Sequence, residues 1–532
     1  MDKLKLNYKR TIFVGFAFFL ISLFWQAYDS IIPKILTDKF GMSQFWSGVI
    51  MAFDNIIALF LLPLFGTLSD KCKSKHGRRT PFILIGTVIA AVALIGLSFV
   101  DAAQLRKLEP ITAVTDSDSE GYKDAMTELY RSDVEFTLDG GEKITLSDKF
   151  TEEEFVNFAD NLKVDFEGDI DVDSAEYKTF VATYVTPARQ AYAAKVVDAA
   201  PSAVITFIAV LMVVLLSMAI FRSPAVALMP DVTPKPLRSK GNAIINLMGV
   251  CGGVLVLVLG ILFGTGNPQN SLMSYVVFFG VVSACMLLAL LVFMLKVNEP
   301  KLVRQMQKES EELGIIESDE EDGKSAGAGK LSRPEFRSLI FILLSVVFWY
   351  MGYNAITSKY SVYAGTVLQV DYNMTLILAQ AAALIAFVPV GMLASKIGRR
   401  KTILIGVACL TLAIAVGSFF KAGANIWLIN AVFALAGLGW ATINVNSYPM
   451  VVELASHGNV GKYTGFYYTA SMSAQTLTPM ISGFFMDKLG MKSLFPYAAI
   501  FVGLSFVTML FVRHGDSRPV GRKPSLEDLD VD

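Results

Sequence analysis

Polar and charged residues in this chain are gathered into a few stretches, and long apolar runs lie between them. Twelve runs come close to the roughly 20 apolar residues that cross a bilayer as a helix. They begin near Thr11, Trp46, Pro81, Val204, Ala243, Leu272, Leu339, Thr375, Thr402, Ile426, Tyr463 and Leu494, and each is bounded by charges, Gly or Pro. The first follows Lys3, Lys5, Lys9 and Arg10, as a signal peptide would. It is too long for one, it carries Asp29, and no small-residue cleavage site follows, so it reads as a retained helix.

Two long polar connections interrupt the runs. Residues 297–337 are Lys/Glu-rich, then acidic from Glu317 to Asp322, then rich in Gly, Ala and Ser. This composition predicts a partly helical, partly flexible linker between two six-helix halves. Residues 102–200 hold 22 Asp/Glu and 10 Lys/Arg. Within them Val134–Leu146 alternates around Asp139-Gly140-Gly141, which predicts a β-hairpin. Thr151-Glu152-Glu153-Glu154 before Phe155, Phe158 and Leu162 has the form of a capping box. Glu176–Val197 reads as a further helix. A small α+β extracytoplasmic cap is expected, with a decorated loop as the alternative. The expected organisation is an N-terminal half at 1–296 that includes this insert, a linker at 297–337, a C-terminal half at 338–513 and a tail at 514–532.

Lys and Arg in the short loops set the orientation. With the N-terminus inside, the inner loops hold thirteen, among them Lys71, Arg78, Arg79, Arg238, Arg399 and Arg400. The outer loops hold five: Lys34, Lys39, Lys421, Lys488 and Lys492. Both termini are therefore expected in the cytoplasm, and the chain in the cell membrane.

Composition narrows the function. The 532 residues are 54% hydrophobic and 17% charged, against about 25% charged in soluble proteins. An ordinary soluble enzyme is excluded, and no enzymatic activity is expected. A net charge of −1 gives no basic field for nucleic acid. Cys72, Cys251, Cys285 and Cys409 lie far apart and three sit in apolar runs, so neither a disulfide framework nor a zinc site is indicated. His76, His457 and His514 are scattered, so no metal site is expected. No Gly-x-x-x-x-Gly-Lys-Ser/Thr motif is present for ATP.

The halves echo each other. After the second run the chain reads Gly66-Thr-Leu-Ser-Asp70, then Gly77-Arg78-Arg79; after the eighth it reads Gly391-Met-Leu-Ala-Ser-Lys396-Ile-Gly398-Arg399-Arg400-Lys401. Duplicated halves around a central cavity are a common transporter plan. These residues resemble the major facilitator superfamily, whose second loop carries Gly-x-x-x-Asp-x-x-Gly-Arg-Arg. The stretch Pro63–Ile83 is similar to the same loop in sucrose:proton symporters, relatives of the glycoside-pentoside-hexuronide:cation symporters. Pro224-Ala-Val-Ala-Leu-Met-Pro-Asp231, then Arg238 and Asn242-Ala243, resembles that group from helix four into helix five.

The resemblance implies an all-α membrane protein of twelve helices that works by alternating access and takes up sugar with protons. Two features depart from it. Sucrose symporters carry an aspartate within helix four, whereas Ala203–Phe221 holds no acid, and the large outer insert is not typical of them.

Charged residues at bilayer depth are costly, roughly 2.5–3.5 kcal/mol on insertion scales, and usually face a cavity. Asp54 near the middle of span two is the candidate proton carrier, because no histidine falls within a span; Asp29 in span one is the reserve. Trp25 and Gln26 lie one turn from Asp29, and Arg222 lies in the inner part of span four. The alternatives are a structural hydrogen bond for Asp54, interfacial solvation for Asp29 and snorkelling for Arg222. Polar and aromatic residues add sugar-binding candidates: Asn246 in span five, Tyr350, Tyr353 and Asn354 in span seven, Trp440 and Asn444 in span ten, and Gln475 in span eleven. Flat rings suit C–H faces and amides suit hydroxyls, although aromatics also serve packing and interfaces. Asp70, Arg78 and Arg79, with Asp231, Arg238 and Glu453 as partners, are expected to form a cytoplasmic gate. The alternative is that Asp70 caps a helix and the arginines only set topology.

The expected function is cation-coupled uptake of a sugar or glycoside, the ion being H⁺ or else Na⁺, with no cofactor. Export of another solute, or a non-transporting membrane sensor, are the alternatives. The partners expected are the solute and the bilayer, with the chain a monomer.

Overall fold

The computed structural model describes residues 6–138, 141–162, 174–234, 237–312, 332–454 and 460–515. Residues 313–331 of the expected linker, the expected tail from residue 516 and the hairpin's Asp139-Gly140 lie outside the described residues. Helix α1 (Tyr8–Lys34) starts at Asn7, whose side chain accepts the Arg10 N–H, and continues through a π-helical turn at Ile35–Lys39. α2 (Gln44–Asp70) starts at Ser43, whose hydroxyl caps Trp46 N–H. α3 spans Thr80–Lys107. The insert carries α4 (Tyr122–Arg131), α5 (Glu152–Val156), α6 (Ala175–Phe180) and α7 (Thr186–Ala199). Next come α8 (Ser202–Val232), α9 (Arg238–Phe263), α10 (Val276–Lys296) and the linker helix α11 (Glu299–Glu312). The rest is α12 (Arg333–Tyr363), α13 (Tyr372–Ile397), α14 (Arg399–Gly417), α15 (Ile426–Val452), α16 (Val460–Leu489) and α17 (Leu494–Leu510).

These helices build two bundles, each with its own apolar core. One core runs from Val14 to Val297 and omits the insert; the other runs from Leu339 to Val512. Among the described residues ten helices are long and apolar enough to cross a membrane, so the expectation of twelve is met for ten. The other two expected runs fall on α13, whose apolar stretch is shorter at Tyr372–Phe387, and on α16, which carries many Ser, Thr and Tyr residues and Gln475. Large apolar side chains such as Leu59, Phe60, Ile205, Leu262 and Ile385 are exposed on the outside. A soluble protein rarely leaves so much apolar surface in water.

Glycine lets helices touch backbone to backbone. A Cβ at Gly252 of α9 would lie 2.4 Å from the Phe19 carbonyl oxygen of α1, and one at Gly437 of α15 would lie 2.1 Å from that of Ala379 in α13.

The insert corrects one expectation. Its strands, Phe136–Thr137 and Lys143–Ile144, pair antiparallel over two residues each, and no others occur among the described residues. It is a helical cap with a short hairpin, not an α+β layer. Its core mixes aliphatic and aromatic side chains, mostly from the helices and turns, with Phe136 and Ile144 added by the strands; Phe155 is buried and Phe158 stacks on Phe180 at 3.8 Å. The Thr151–Glu154 capping box is present.

A buried polar joint fastens the insert to α1. Arg189 pairs with Asp38 at 3.1 Å, Gln190 Nε2 donates to the same carboxylate at 2.9 Å, and Arg189 also donates to Ser271. The insert reaches the second bundle too. Its π-helical turn Val181–Val185 packs against the turn Ala364–Leu368 that extends α12. A Cβ at Gly423, where φ is +78°, would lie 2.7 Å from Ala175 Cβ.

Lys34 and Lys39 are not loop residues. Helix α1 and its π turn carry them inside the protein. Lys34 Nζ donates to the Thr265 carbonyl, and Lys39 Nζ donates to both Asp101 carboxylate oxygens and to the Met273 carbonyl, each at 2.7 Å. A buried ammonium needs such partners, and the sequence alone does not distinguish it from a loop lysine.

Candidate functional site

A cavity of about 220 Å³ lies between the bundles. Trp25 and Asp29 of α1, Met51, Asp54 and Asn55 of α2, and Arg222 of α8 form its first-bundle wall. Asn354, Thr357 and Ser358 of α12, and Gln475 and Pro479 of α16, form the other. Helical spacing explains the grouping. Trp25 and Asp29 are four residues apart, as are Met51 and Asn55, Asn354 and Ser358, and Gln475 and Pro479, so each pair shares one face.

The charges in the wall are two carboxylates and one guanidinium. Asp54 Oδ1 accepts the Asn55 Nδ2–H at 2.9 Å. The Arg222 guanidinium lies 5.4 Å over the Trp25 ring, a cation–π contact that partly replaces its lost hydration. No ion pair within 4 Å ties Arg222 to either aspartate among the described residues. Two buried donors in this wall, Trp25 Nε1 and Asn354 Nδ2, have no hydrogen-bond partner among the described residues. Ser358 Oγ donates to the Asn354 carbonyl at 2.7 Å, so its oxygen stays available as an acceptor. The wall thus offers donors, acceptors, an aromatic ring and both signs of charge.

The sequence candidates for binding separate into four groups. Asp54, Asp29, Trp25, Arg222, Asn354 and Gln475 line the cavity. Tyr350, Tyr353 and Trp440 form an aromatic cluster beside it: Tyr353 and Trp440 stack at 3.6 Å with parallel rings, and Tyr350 meets Trp440 edge-on at 5.2 Å. Asn246 and Asn444 are exposed outside the cavity wall, and Asn246 donates to the Asn242 carbonyl of its own helix. Gln26 bridges the bundles, accepting from Gln380 Nε2 at 2.7 Å and donating to Ser30. Asn55, Thr357 and Ser358 were missed. Neighbours of strong candidates on the same helix face, they were accessible to the same spacing argument.

The two ends of the bundles differ. Among the described residues, the hydrogen bonds that join the bundles lie from Gln26 toward the insert end. Asp487 of α16 accepts the Gln44 and Phe45 N–H groups of α2, Lys359 Nζ of α12 donates to the Gln44 carbonyl at 2.7 Å, and Thr265 bonds Tyr372 at 3.3 Å. Gly48 fits against the Pro479 carbonyl, where a Cβ would come within 2.1 Å.

At the linker end the expected gate residues bond within their own bundle. Arg78 and Arg79 pair with Asp231 at 2.7 and 2.9 Å, and Arg79 also meets Asp70 and Ser69. Glu299 of α11, absent from the sequence candidates, accepts the N–H groups of Arg78, Arg79 and Thr80. Gly77, with φ +109°, permits that approach. Arg238 donates to the Thr233 and Pro230 carbonyls that end α8 rather than to an acid. In the second bundle Arg399 pairs with Glu453.

Comparison with known proteins agrees with this architecture. The family model for the Major Facilitator Superfamily matches residues 188–387 and 372–529, and that for MFS/sugar transport protein matches 13–103. The Arabidopsis thaliana sucrose transport protein SUC3 is 42% identical over 59 residues, 11% of this chain and 10% of the relative. Human proton-associated sugar transporter A is 32% identical over 92 residues, 17% of this chain and 12% of the relative. These matches span only about a tenth of each relative. The inward-open xylose transporter XylE from E. coli superposes with TM-score 0.54 at 15% identity, covering 98% of this chain and 99% of that one. A D-xylose-proton symporter gives 0.54 at 14% identity, with 96% and 99% covered. At such identity these structures share the fold. The chain belongs to the major facilitator superfamily.

Proposed function

We propose that this chain is a secondary active transporter that takes up a sugar or glycoside together with a cation, H⁺ in the first place, by alternating access. In this reading twelve helices span the plasma membrane as halves 1–296 and 338–513, both termini are cytoplasmic, and the insert lies outside. One observation carries it: Asp29, Asp54 and Arg222 of one bundle share a cavity with Asn354, Ser358 and Gln475 of the other. A solute held there touches both bundles, so its binding energy bears on how they move. Two carboxylates against one guanidinium leave one negative charge when all are ionised, and a proton on Asp54 or Asp29 neutralises it. Burying unbalanced charge is expensive, so the empty and loaded sites favour different protonation. Sugar as the solute rests on the mixture of ring, amide, hydroxyl and charge in the wall, and on the sugar-transport relatives.

With the insert outside, the interbundle bonds at that end fit an inward-facing state. Asp70, Arg78, Arg79, Asp231, Arg238 and Glu453 then act by holding the cytoplasmic loops of each bundle as rigid units that meet when that side closes.

The test is counterflow in sealed proteoliposomes loaded with unlabelled sugars. Saturable entry of labelled sugar, stimulated by the trapped sugar, supports the carrier. Ligand binding without flux in either direction overturns it.

A further inference from the structure

We propose a lipid site at the insert end of the first bundle. It takes one acyl chain of an outer-leaflet phospholipid whose headgroup carries an amine. The site is a groove of about 470 Å³ between the turn 40–43, the end of α7, the first three turns of α2 and the second turn of α8. Val49, Phe53 and Ile208 line its apolar part; Ser43, which caps α2, and Asp198, in the last turn of α7, stand at its rim. The proposal rests on the proposed orientation, with the insert outside, and is independent of which solute or ion is carried.

Depth points to a lipid chain. From Ser43 to Phe53 is ten residues of helix, about 15 Å, the hydrocarbon thickness of one leaflet in a core of about 30 Å. The surroundings agree. The same helices leave large apolar side chains exposed, Leu59 and Phe60 of α2 and Ile205 and Val213 of α8. Trp46 at its edge is 61% exposed, the placement of an interfacial tryptophan. A surface of this kind meets acyl chains in a membrane.

Charge selects the headgroup. Asp198 is exposed and has no ion-pair partner among the described residues. Lys195, one turn earlier, gives its ammonium to the Ser132 carbonyl at 2.9 Å. The insert above holds 22 acids against 10 bases. An anionic headgroup is repelled there, whereas an ammonium finds Asp198.

Native mass spectrometry of the purified full chain, incubated with equimolar palmitoyl-oleoyl phosphatidylethanolamine and phosphatidylglycerol, tests this. The wild type should retain the ethanolamine lipid several-fold over the glycerol lipid. Val49→Trp, which fills the groove, should lower that retention roughly tenfold, equivalent to about 1.4 kcal/mol. Asp198→Lys lies on an exposed helix end, leaves folding intact and should reverse the headgroup preference. Equal retention of both lipids by the wild type overturns the proposal. So does full lipid retention in a folded Val49→Trp protein, an unchanged preference in Asp198→Lys, or a lipid-free dimer.

Discussion

The Asp487 carboxylate of α16 accepts the Gln44 and Phe45 N–H groups at the start of α2, at 2.7 and 2.8 Å, so a side chain of one bundle caps a helix of the other. A carboxylate at a helix N-terminus satisfies otherwise orphaned donors and opposes the helix dipole. The bond exists only while the bundles meet at the insert end. Asp487→Asn keeps the shape and removes the charge, costing about 1–2 kcal/mol. The closed population should fall roughly 5- to 30-fold relative to the open one. Labelling of Ser358→Cys from the insert side, with the four native cysteines replaced, should rise accordingly; unchanged labelling would refute the cap's role.

Gly48 supplies a second handle on the same closure. A leucine there must clear the Pro479 carbonyl, 2.1 Å from its Cβ position. Backbone cannot yield as a side-chain tip can, so α2 and α16 are pushed apart. Gly48→Leu should bind solute from the outside yet turn over roughly tenfold more slowly or less, the effect of a contact worth about 1.4 kcal/mol or more. Normal turnover with normal accessibility would show that the helices do not close this tightly.

Arg189 and Asp38 hold the insert to α1 in a buried pair. Removing one partner of such a pair typically costs 3–5 kcal/mol, because the other charge is stranded. Arg189→Met should lower the unfolding temperature and speed proteolysis within 102–200. Arg189→Met with Asp38→Leu should recover part of the loss. An unshifted melting curve for the single variant would contradict the joint.

Asn354 Nδ2 is a buried donor of the cavity wall without a hydrogen-bond partner among the described residues. If it serves a solute hydroxyl, Asn354→Ala removes one hydrogen bond of about 0.5–1.5 kcal/mol. The half-saturating sugar concentration should rise roughly 2- to 12-fold, with the maximal rate and thermal stability nearly unchanged. Equal affinity would place the solute elsewhere.

Much of this arrangement was legible from the chain. Apolar runs marked the helices, and charges at bilayer depth picked out Asp29, Asp54 and Arg222, because a charge there needs a cavity. Tyr353 and Trp440 illustrate where periodicity stops: it marks both as candidates for binding and does not reveal that their rings stack on each other beside the cavity. Lys34 and Lys39 looked like loop charges because their partners, the Thr265 carbonyl and Asp101, lie far away in sequence. Glu299 was hidden for the same reason, as its role depends on three backbone donors more than 200 residues earlier. The insert hairpin was found at the right place, but turn chemistry says nothing of strand length, and most of the insert's core comes from its helices and turns, with only Phe136 and Ile144 from the strands.

Uphill sugar accumulation in proteoliposomes under an imposed pH gradient, compared between the wild type and Asp54→Asn, probes the shared cavity most directly. The wild type should concentrate sugar when the outside is acid, and the variant should exchange sugar without concentrating it. Undiminished accumulation by Asp54→Asn would contradict the assignment of proton coupling to this carboxylate.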